Sequence, residues 1–411
     1  YLKEEREQEE NKMLQGKTVL LGVTGGIAAY KMPNVARMLK KMHCNVHVLM
    51  TQNATNFITA TTFETLTGNK CLIDTFDRNF EFSVEHVALA KQADLVLLAP
   101  ATANVIGKIA NGIADDMLTT TVMACTCKVL VAPAMNHNMY HNSIVQENLE
   151  KLKRHGYEMI DPVCGMLANG DTGDGKLPSE ETLVEYVLRE LAFEKDMQGL
   201  KVLVTAGPTQ EAIDPVRFIS NHSTGKMGYA IAKNAMLRGA EVTLVTGRTA
   251  LEPPMFVKTV PVTSAKDMYQ AVMECAKEQD IIVKAAAVAD YTPAHTADEK
   301  IKKSEGELSL ALEKTTDILA ELGKNKGNTV LCGFSMETEH MLENSRAKRK
   351  KKNLDMIAAN NLKQQGAGFA GDTNVLTLIT EDWEKELALM SKDEAAKCLL
   401  DELLKIKKNK K

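Results

Sequence analysis

Apolar runs that alternate with helical patterns, lapse, and then start again constrain this chain more than any other feature. In the first half the runs fall at residues 18–23, 45–50, 94–99 and 128–132, with helical patterns over 27–41, 84–92 and 101–110. Runs of strand length without polar alternation belong to parallel sheets buried on both faces. The helical crossovers that parallel pairing requires supply the cover. The pattern pauses over 179–195, a helical stretch ending in a charged joint. It restarts with runs at 201–205, 241–246, 280–286, 329–333, 355–358 and 375–380, and helical patterns over 226–238, 265–277, 316–323 and 337–352. A chain of 411 residues is too long for one core. The expectation is an α/β protein of two Rossmann-like domains with mainly parallel sheets, residues 15–190 and 198–405, behind a charged arm at 1–14.

Several function classes recede on composition. A net charge of -4 gives no global attraction for nucleic acid. No apolar run approaches the ~18 residues of a membrane span. The start, Tyr1 to Glu10, is charged and lacks a signal peptide's apolar centre, and the basic stretch 405–411 reads as a frayed end. The eight cysteines include no C-x-x-C pair, and Cys125 and Cys127 are spaced poorly for zinc. Reduced thiols, a cytoplasmic setting and small-molecule partners are expected, with neither nucleic acid nor membrane among them.

Parallel sheets bind ligands beyond the carboxyl ends of their strands. In the first half, Thr24-Gly25-Gly26 follows a strand and opens a helix, so backbone N–H groups there can accept a phosphate. The spacing is not G-x-G-x-x-G, and a mononucleotide such as FMN fits better than a dinucleotide. Two more strands end in small-residue turns closed by an amide, 99–104 at Asn104 and 132–136 at Asn136. Such turns let a flat ring approach the backbone, though each alone also suits an ordinary strand-to-helix connection. His86, at a helix start, reads by itself as a capping or surface residue. Residues 161–178 hold four glycines and three aspartates and suit a lid.

A second set follows the restart. Residues 206–209 end a strand, 214–221 follow, and Ser223-Thr224-Gly225-Lys226 opens a helix. This is a phosphate cradle or a plain capped helix, without Walker A spacing. Asp290 ends an alanine-rich strand in which Lys284 needs a partner or a route to the surface. Lys300, Lys302 and Lys303 lie in a polar loop, 292–307, a second lid candidate or a solvated face.

The segments 24–31, 85–91, 100–104 and 133–136 together resemble the flavin-dependent cysteine decarboxylases. With the segments 206–226, 285–291 and 299–303, the chain resembles the bifunctional coenzyme A biosynthesis proteins over residues ~15–405. Those proteins join a phosphopantothenoylcysteine decarboxylase to a phosphopantothenate–cysteine ligase. The resemblance implies a flavodoxin-like flavoprotein half with FMN contacted by Gly25, Gly26, Thr51, Thr102 and Asn104. It implies His86 as acid/base and Asn136 as holder of the substrate carboxylate. In the ligase half it implies Asn221 at an acyl-nucleotide intermediate and Lys300 in the activation step. Nucleotide and substrate contacts fall to Ser223, Gly225, Lys226, Asp290, Lys302, Phe334, Lys348 and Lys352. CTP is the implied cosubstrate and Mg2+ (or Mn2+) the implied metal, with unknown ligands. The residues alone do not separate CTP from ATP. Substrates would be 4'-phosphopantothenate and cysteine. A homo-oligomer of trimeric flavin halves and dimeric ligase halves, closing to a dodecamer, is also implied.

One departure stands out. The family's flap carries a proton-donating cysteine where this chain has Asn169, in Leu167-Ala168-Asn169-Gly170-Asp171. An amide does not donate a proton as a thiol does, so the resemblance implies that the closing reduction is impaired, with Cys164 as a possible substitute. Two other readings stay open: a flavin-binding regulatory subunit, and a peptide-cysteine decarboxylase. His86 and the second half weigh against the first, and the second half against the other.

Overall fold

Both series of apolar runs become parallel sheets. The computed structural model describes residues 12–76, 85–166, 172–302, 309–337, 340–361 and 371–410, and the chain divides into two units, 1–193 and 194–411.

In the first unit the sheet comprises β1 (Thr18–Val23), β2 (Asn45–Met50), β3 (Leu95–Ala101), β4 (Lys128–Pro133) and β5 (Glu158–Met159). Their order is β2-β1-β3-β4-β5 and every pairing is parallel. This is the flavodoxin-like order, whose direction of winding reverses between β1 and β3. Every residue of β3 is buried, which is why its sequence shows no polar alternation. Val105, Ile106 and Ile109 pack in one cluster with Leu118, Val122, Leu149 and Leu152 from neighbouring helices. An antiparallel hairpin of β6 (Val163–Met166) and β7 (Thr172–Lys176) follows the sheet.

Local chemistry moves some boundaries. Strand β3 runs on to Ala101, and the helix read from 101 begins at Ala103 because Thr102 caps it, accepting from the Val105 N–H at 3.5 Å. The pattern over 27–41 splits into a 3-10 turn, Ile27–Lys31, and a helix, Met32–Lys41, with proline in its first turn. Helices Ala60–Thr67, Met117–Ala124 and Ser143–Arg154 add to those expected.

The second unit contains β8 (Lys201–Ala206), β9 (Gln210–Ala212), β10 (Phe218–Ser220), β11 (Glu241–Thr246), β12 (Lys258–Pro261) and β13 (Ile281–Lys284). It continues with β14 (Tyr291–Pro293), β15 (Leu312–Lys314), β16 (Val330–Glu337), β17 (Met356–Asn361), β18 (Thr373–Asn374), β19 (Leu376–Ile379), β20 (Glu384–Glu386) and β21 (Met390–Ser391). Eight of these form one sheet, β12-β11-β8-β13-β16-β17-β19-β20. It is parallel from β12 to β17 and antiparallel at β19 and β20. The winding reverses between β8 and β13. Strand β13 stops at Lys284 rather than 286. The pattern read as a helix from 337 starts instead at Met341, after β16 has run to Glu337. A capping box at Ser391 and Glu394 starts the helix Lys392–Asn409, which the sequence reading passed over.

Candidate active sites

Each reversal point carries a cavity. In the first unit a buried hydroxyl ties two loops together. Thr24 is fully buried at the end of β1; its Oγ1 donates to the Pro100 carbonyl at 2.6 Å and accepts from the Thr102 N–H at 3.0 Å. The Ala134 N–H donates to the Ala101 carbonyl at 3.0 Å, and the Met135 N–H to the Gly175 carbonyl at 3.0 Å. The turns after β1, β3 and β4 and the hairpin strand β7 are thus linked in sequence. They enclose about 550 Å³ lined by Gly25, Gly26, Thr102, Asn136, Gly175 and neighbours. Ile27, Tyr30 and Met139 present largely exposed apolar surface at its wall.

The donor set and shape fit a flavin. A Cβ on Gly25 would stand 2.5 Å from the Asn53 Cβ, so only glycine brings the backbone in here. A Cβ on Gly175 would stand 2.3 Å from the Met135 carbonyl oxygen. Thr51 Oγ1 is buried without a hydrogen-bond partner, but off the lining of this cavity. Asn136 caps the short helix His137–Tyr140, its Oδ1 accepting from the Asn138 N–H at 2.9 Å. That leaves its amide N–H donors for a carboxylate.

Of the sequence-read residues, Gly25, Gly26, Thr102 and Asn136 line this cavity. Thr51, Asn104 and His86 do not line it; His86 is half-buried on the helix Glu85–Gln92. Asn169 lies outside the described residues.

In the second unit the loop after β8 meets the run after β13. The Ala287 N–H donates to the Gly207 carbonyl at 3.0 Å, and the Ala289 N–H to Thr209 Oγ1 at 3.0 Å. Asn221 Nδ2 donates to the Ala287 carbonyl at 3.0 Å. Gly225, with φ of 80°, precedes the helix Lys226–Leu237 in a left-handed conformation.

Two cavities flank Phe334. One, of about 460 Å³, is lined by Lys284, Asp290, Lys314, Asp317, Phe334, Lys348 and Lys352 among others. The other, of about 120 Å³, takes Ser223, Gly225, Lys226, Phe334, Asn360 and Lys392. Asn360 Oδ1 is buried without a partner. Lys352 Nζ contacts Asp317 Oδ2 at 2.9 Å and Lys348 Nζ donates to the Phe334 carbonyl at 3.3 Å. Burial pushes the Asp317 carboxyl up, but Lys352 and the Ala320 N–H outweigh it and hold it below its usual range.

Burial also depresses Lys284 to about 7; the nearby Lys352 adds to the fall and Asp317 opposes it. Its Nζ lies 3.7 Å from Met268 Sδ. Lys392 is depressed to about 8 by burial and then by Lys226. The sequence read Lys284 as needing a partner; Asp317 and Lys392 were not singled out. Their signals were local, a helix cap and a capping-box helix start, and neither advertises a cavity.

Lys300 and Lys302 are exposed and line neither cavity, and Lys303 lies outside the described residues. Their loop is nevertheless anchored. Buried Asp214 accepts from the Ile301 N–H at 3.1 Å and pairs with the Arg217 guanidinium, while Arg217 donates to the Ile301 carbonyl at 2.8 Å. The guanidinium first, then backbone N–H groups, hold the Asp214 carboxyl far below the usual range.

The family described as Flavoprotein matches residues 7–192, and the DNA/pantothenate metabolism flavoprotein C-terminal domain matches 197–406. The Coenzyme A biosynthesis bifunctional protein CoaBC of Bacillus subtilis (strain 168) is 45% identical over 96% of this chain and 98% of its own length. The protein of that name from Haemophilus influenzae is 42% identical over 95% and 98%. A crystal structure of a CoaBC C-terminal domain aligns at 41% identity over 53% of this chain and 100% of its own, with a TM-score of 0.46. No described helix is long and apolar enough to cross a membrane.

Proposed function

The chain belongs to the family of bifunctional coenzyme A biosynthesis proteins, enzymes that pair a flavoprotein decarboxylase with a ligase. From that footing we propose that residues 15–190 decarboxylate 4'-phosphopantothenoylcysteine with FMN. Residues 198–405 make that compound from 4'-phosphopantothenate, cysteine and CTP.

In the ligase half the 4'-phosphopantothenate carboxylate attacks the nucleotide, releasing pyrophosphate and forming an acyl-cytidylate. The cysteine amine then displaces CMP. Lys284, Lys348 and Lys352 surround the larger cavity and offset charge as the triphosphate breaks. Ser223, Gly225 and Lys226 serve the smaller one beside Phe334, and Asn360's orphan oxygen accepts from the nucleoside. Asn221, held by the Ala287 carbonyl, orients the acyl-nucleotide. Lys300 approaches from the loop pinned at Ile301, with Lys302 beside it. Asp290 lines the larger cavity. Among the described residues this unit contains no group of three metal-ligating side chains. Mg2+ would enter with the nucleotide and offset charge on its phosphates, beside Lys284, Lys348 and Lys352.

In the flavoprotein half, Gly25, Gly26, Thr51 and Thr102 would hold FMN, with Asn104 on the adjoining helix. The chemistry FMN supplies when bound is reversible two-electron oxidation, which gives the departing carbon dioxide an adjacent electron sink. Asn136 fixes the substrate carboxylate through its free amide donors. Met135 and Gly175 close the hairpin over it and exclude water. His86, away from its own cavity wall, exchanges protons at a neighbouring copy's cavity in a trimer. Ligase halves pair in turn, and a cytoplasmic dodecamer follows. Asn169 slows the final proton delivery.

What supports this reading most is that both winding reversals carry a cavity walled by the family's motif residues. Purified protein with 4'-phosphopantothenate, cysteine, CTP and Mg2+ should release pyrophosphate and carbon dioxide, and Asn169→Cys should speed formation of 4'-phosphopantetheine. Absence of pyrophosphate with CTP and with ATP would refute the ligase assignment. An unchanged yield in Asn169→Cys would refute the role given to residue 169.

A further inference from the structure

The short helix that follows Asn136 begins at His137 and ends against His141, two histidines that neither half-reaction uses. His137 and His141 stand four apart, so their rings share one face. The ring centroids are 4.4 Å apart with planes tilted by 57°. Strand β7 brings a carboxylate to the same place: Asp174 Oδ2 lies 3.1 Å from His141 Nε2. One ligand atom from each of the three side chains falls within a 4.8 Å set.

One atom in the cluster lacks a partner. His137 Nδ1 is buried and makes no hydrogen bond. It faces the hairpin, since a Cβ on Gly173, next to Asp174, would come within 2.8 Å of it. A buried polar nitrogen without a partner is uncommon, and a bound ion is one of the things that satisfies it.

We propose that His137, His141 and Asp174 form a binding site for a divalent transition metal of the zinc class. Two imidazoles and one carboxylate with a water in the fourth position make a familiar tetrahedral donor set. Imidazoles favour Zn2+, Co2+ or Ni2+ over Mg2+ or Ca2+, which take oxygen ligands. With bonds of about 2.0–2.1 Å, ligand atoms on a common tetrahedral ion sit roughly 3.4 Å apart. The His141–Asp174 contact is already that short. Both side chains are roughly half exposed, at 49% and 44%, and have room to adjust.

The ion would tie the hairpin to the Asn136 turn. Those elements share the Met135–Gly175 backbone hydrogen bond. A metal bridge from His137 and His141 to Asp174 adds a second, stronger tie across the same gap. Bound metal then holds the hairpin shut, an effect separate from the assignment of activities above.

The test is titration of the full chain with Zn2+ by calorimetry and with Co2+ by visible absorption. The expected result is one tight site per chain and a four-coordinate cobalt spectrum. His141→Ala and Asp174→Asn should each weaken binding at least tenfold while circular dichroism stays unchanged. Amide exchange over 172–176 should slow with Zn2+ in the parent chain and not in His141→Ala. Equal affinity in the parent and both variants would overturn the proposal. So would a thiolate-to-cobalt charge-transfer band, which would place the metal on cysteine, or unchanged hairpin exchange with the ion bound.

Discussion

Replacing Lys284 with methionine tests how the larger cavity in the second unit handles charge. In an unfolded chain this lysine has its ordinary value of 10.5; in the folded unit it is held at about 7. At 1.36 kcal/mol for each tenfold change, the difference is about 5 kcal/mol of disfavour for the charged form. The sign is opposite to that of a lysine gaining a partner. Between about pH 7 and pH 10.5 the folded state binds fewer protons than the unfolded one, so stability rises with pH there. The full penalty applies below pH 7. Lys284→Met removes it, and its side chain suits the space beside Met268. At about 2–4 °C for each kcal/mol in a unit of this size, the melting transition should rise by roughly 10 °C or more at pH 6.5. Near pH 10 the two proteins should converge.

Function supplies the second readout. At pH 8 about nine in ten Lys284 side chains are neutral. A triphosphate bound there would restore the charge, so nucleotide binding should take up close to one proton. Calorimetric titrations in two buffers of different ionisation enthalpy measure that uptake. Lys284→Met should abolish it and weaken nucleotide binding. No gain in melting temperature at pH 6.5, or identical proton uptake in both proteins, would refute the reasoning.

Three further outcomes follow. Thr24→Val removes a buried hydroxyl that joins the Pro100 carbonyl and the Thr102 N–H; it should cost about 1–3 kcal/mol by thermal melting and loosen retained flavin, read by absorbance. Gly25→Ala forces a methyl to 2.5 Å from Asn53 Cβ; it should destabilise the first unit by about 1–3 kcal/mol and lower flavin occupancy, leaving pyrophosphate release unchanged. Asp214 is a carboxyl held low by Arg217, so its stabilising contribution is present above the unfolded value of about 3.9 and fades as pH falls through the lower folded one. Asp214→Asn should erase that acid-side dependence and speed amide exchange at Ile301.

Strands were the most legible part of this fold. The runs at 18–23, 45–50 and 241–246 coincide with β1, β2 and β11 because burial of most of their residues leaves a largely apolar signature. Helices without a clear stripe were harder. Met117–Ala124 reads MLTTTVMA and is largely buried, so periodicity does not separate it from a strand. Strand β3 runs past its apolar run to Ala101, pairing again with Pro133 after an irregularity, and the helix waits for its cap at Thr102. In the sites, turn motifs such as Gly25-Gly26 and 133–136 stood out because several small-residue turns close strands of one sheet, where a parallel sheet binds ligands. Contacts between distant segments did not stand out. Thr24 meets Pro100, and Asp214 meets Ile301, only because the fold brings them together. Burial turns Lys284 and Lys392 into perturbed groups, and burial is not written at the residue itself.

If one chain carries two chemically separate sites, the first product feeding the second reaction, the two reactions should differ in their need for nucleotide. The direct measurement follows carbon dioxide from carboxyl-labelled cysteine. Starting from 4'-phosphopantothenate and labelled cysteine, release should require CTP and Mg2+. Starting from preformed labelled 4'-phosphopantothenoylcysteine, it should proceed without nucleotide and persist in Lys284→Met. Labelled carbon dioxide from free cysteine without nucleotide, or a nucleotide requirement with the preformed substrate, would contradict it.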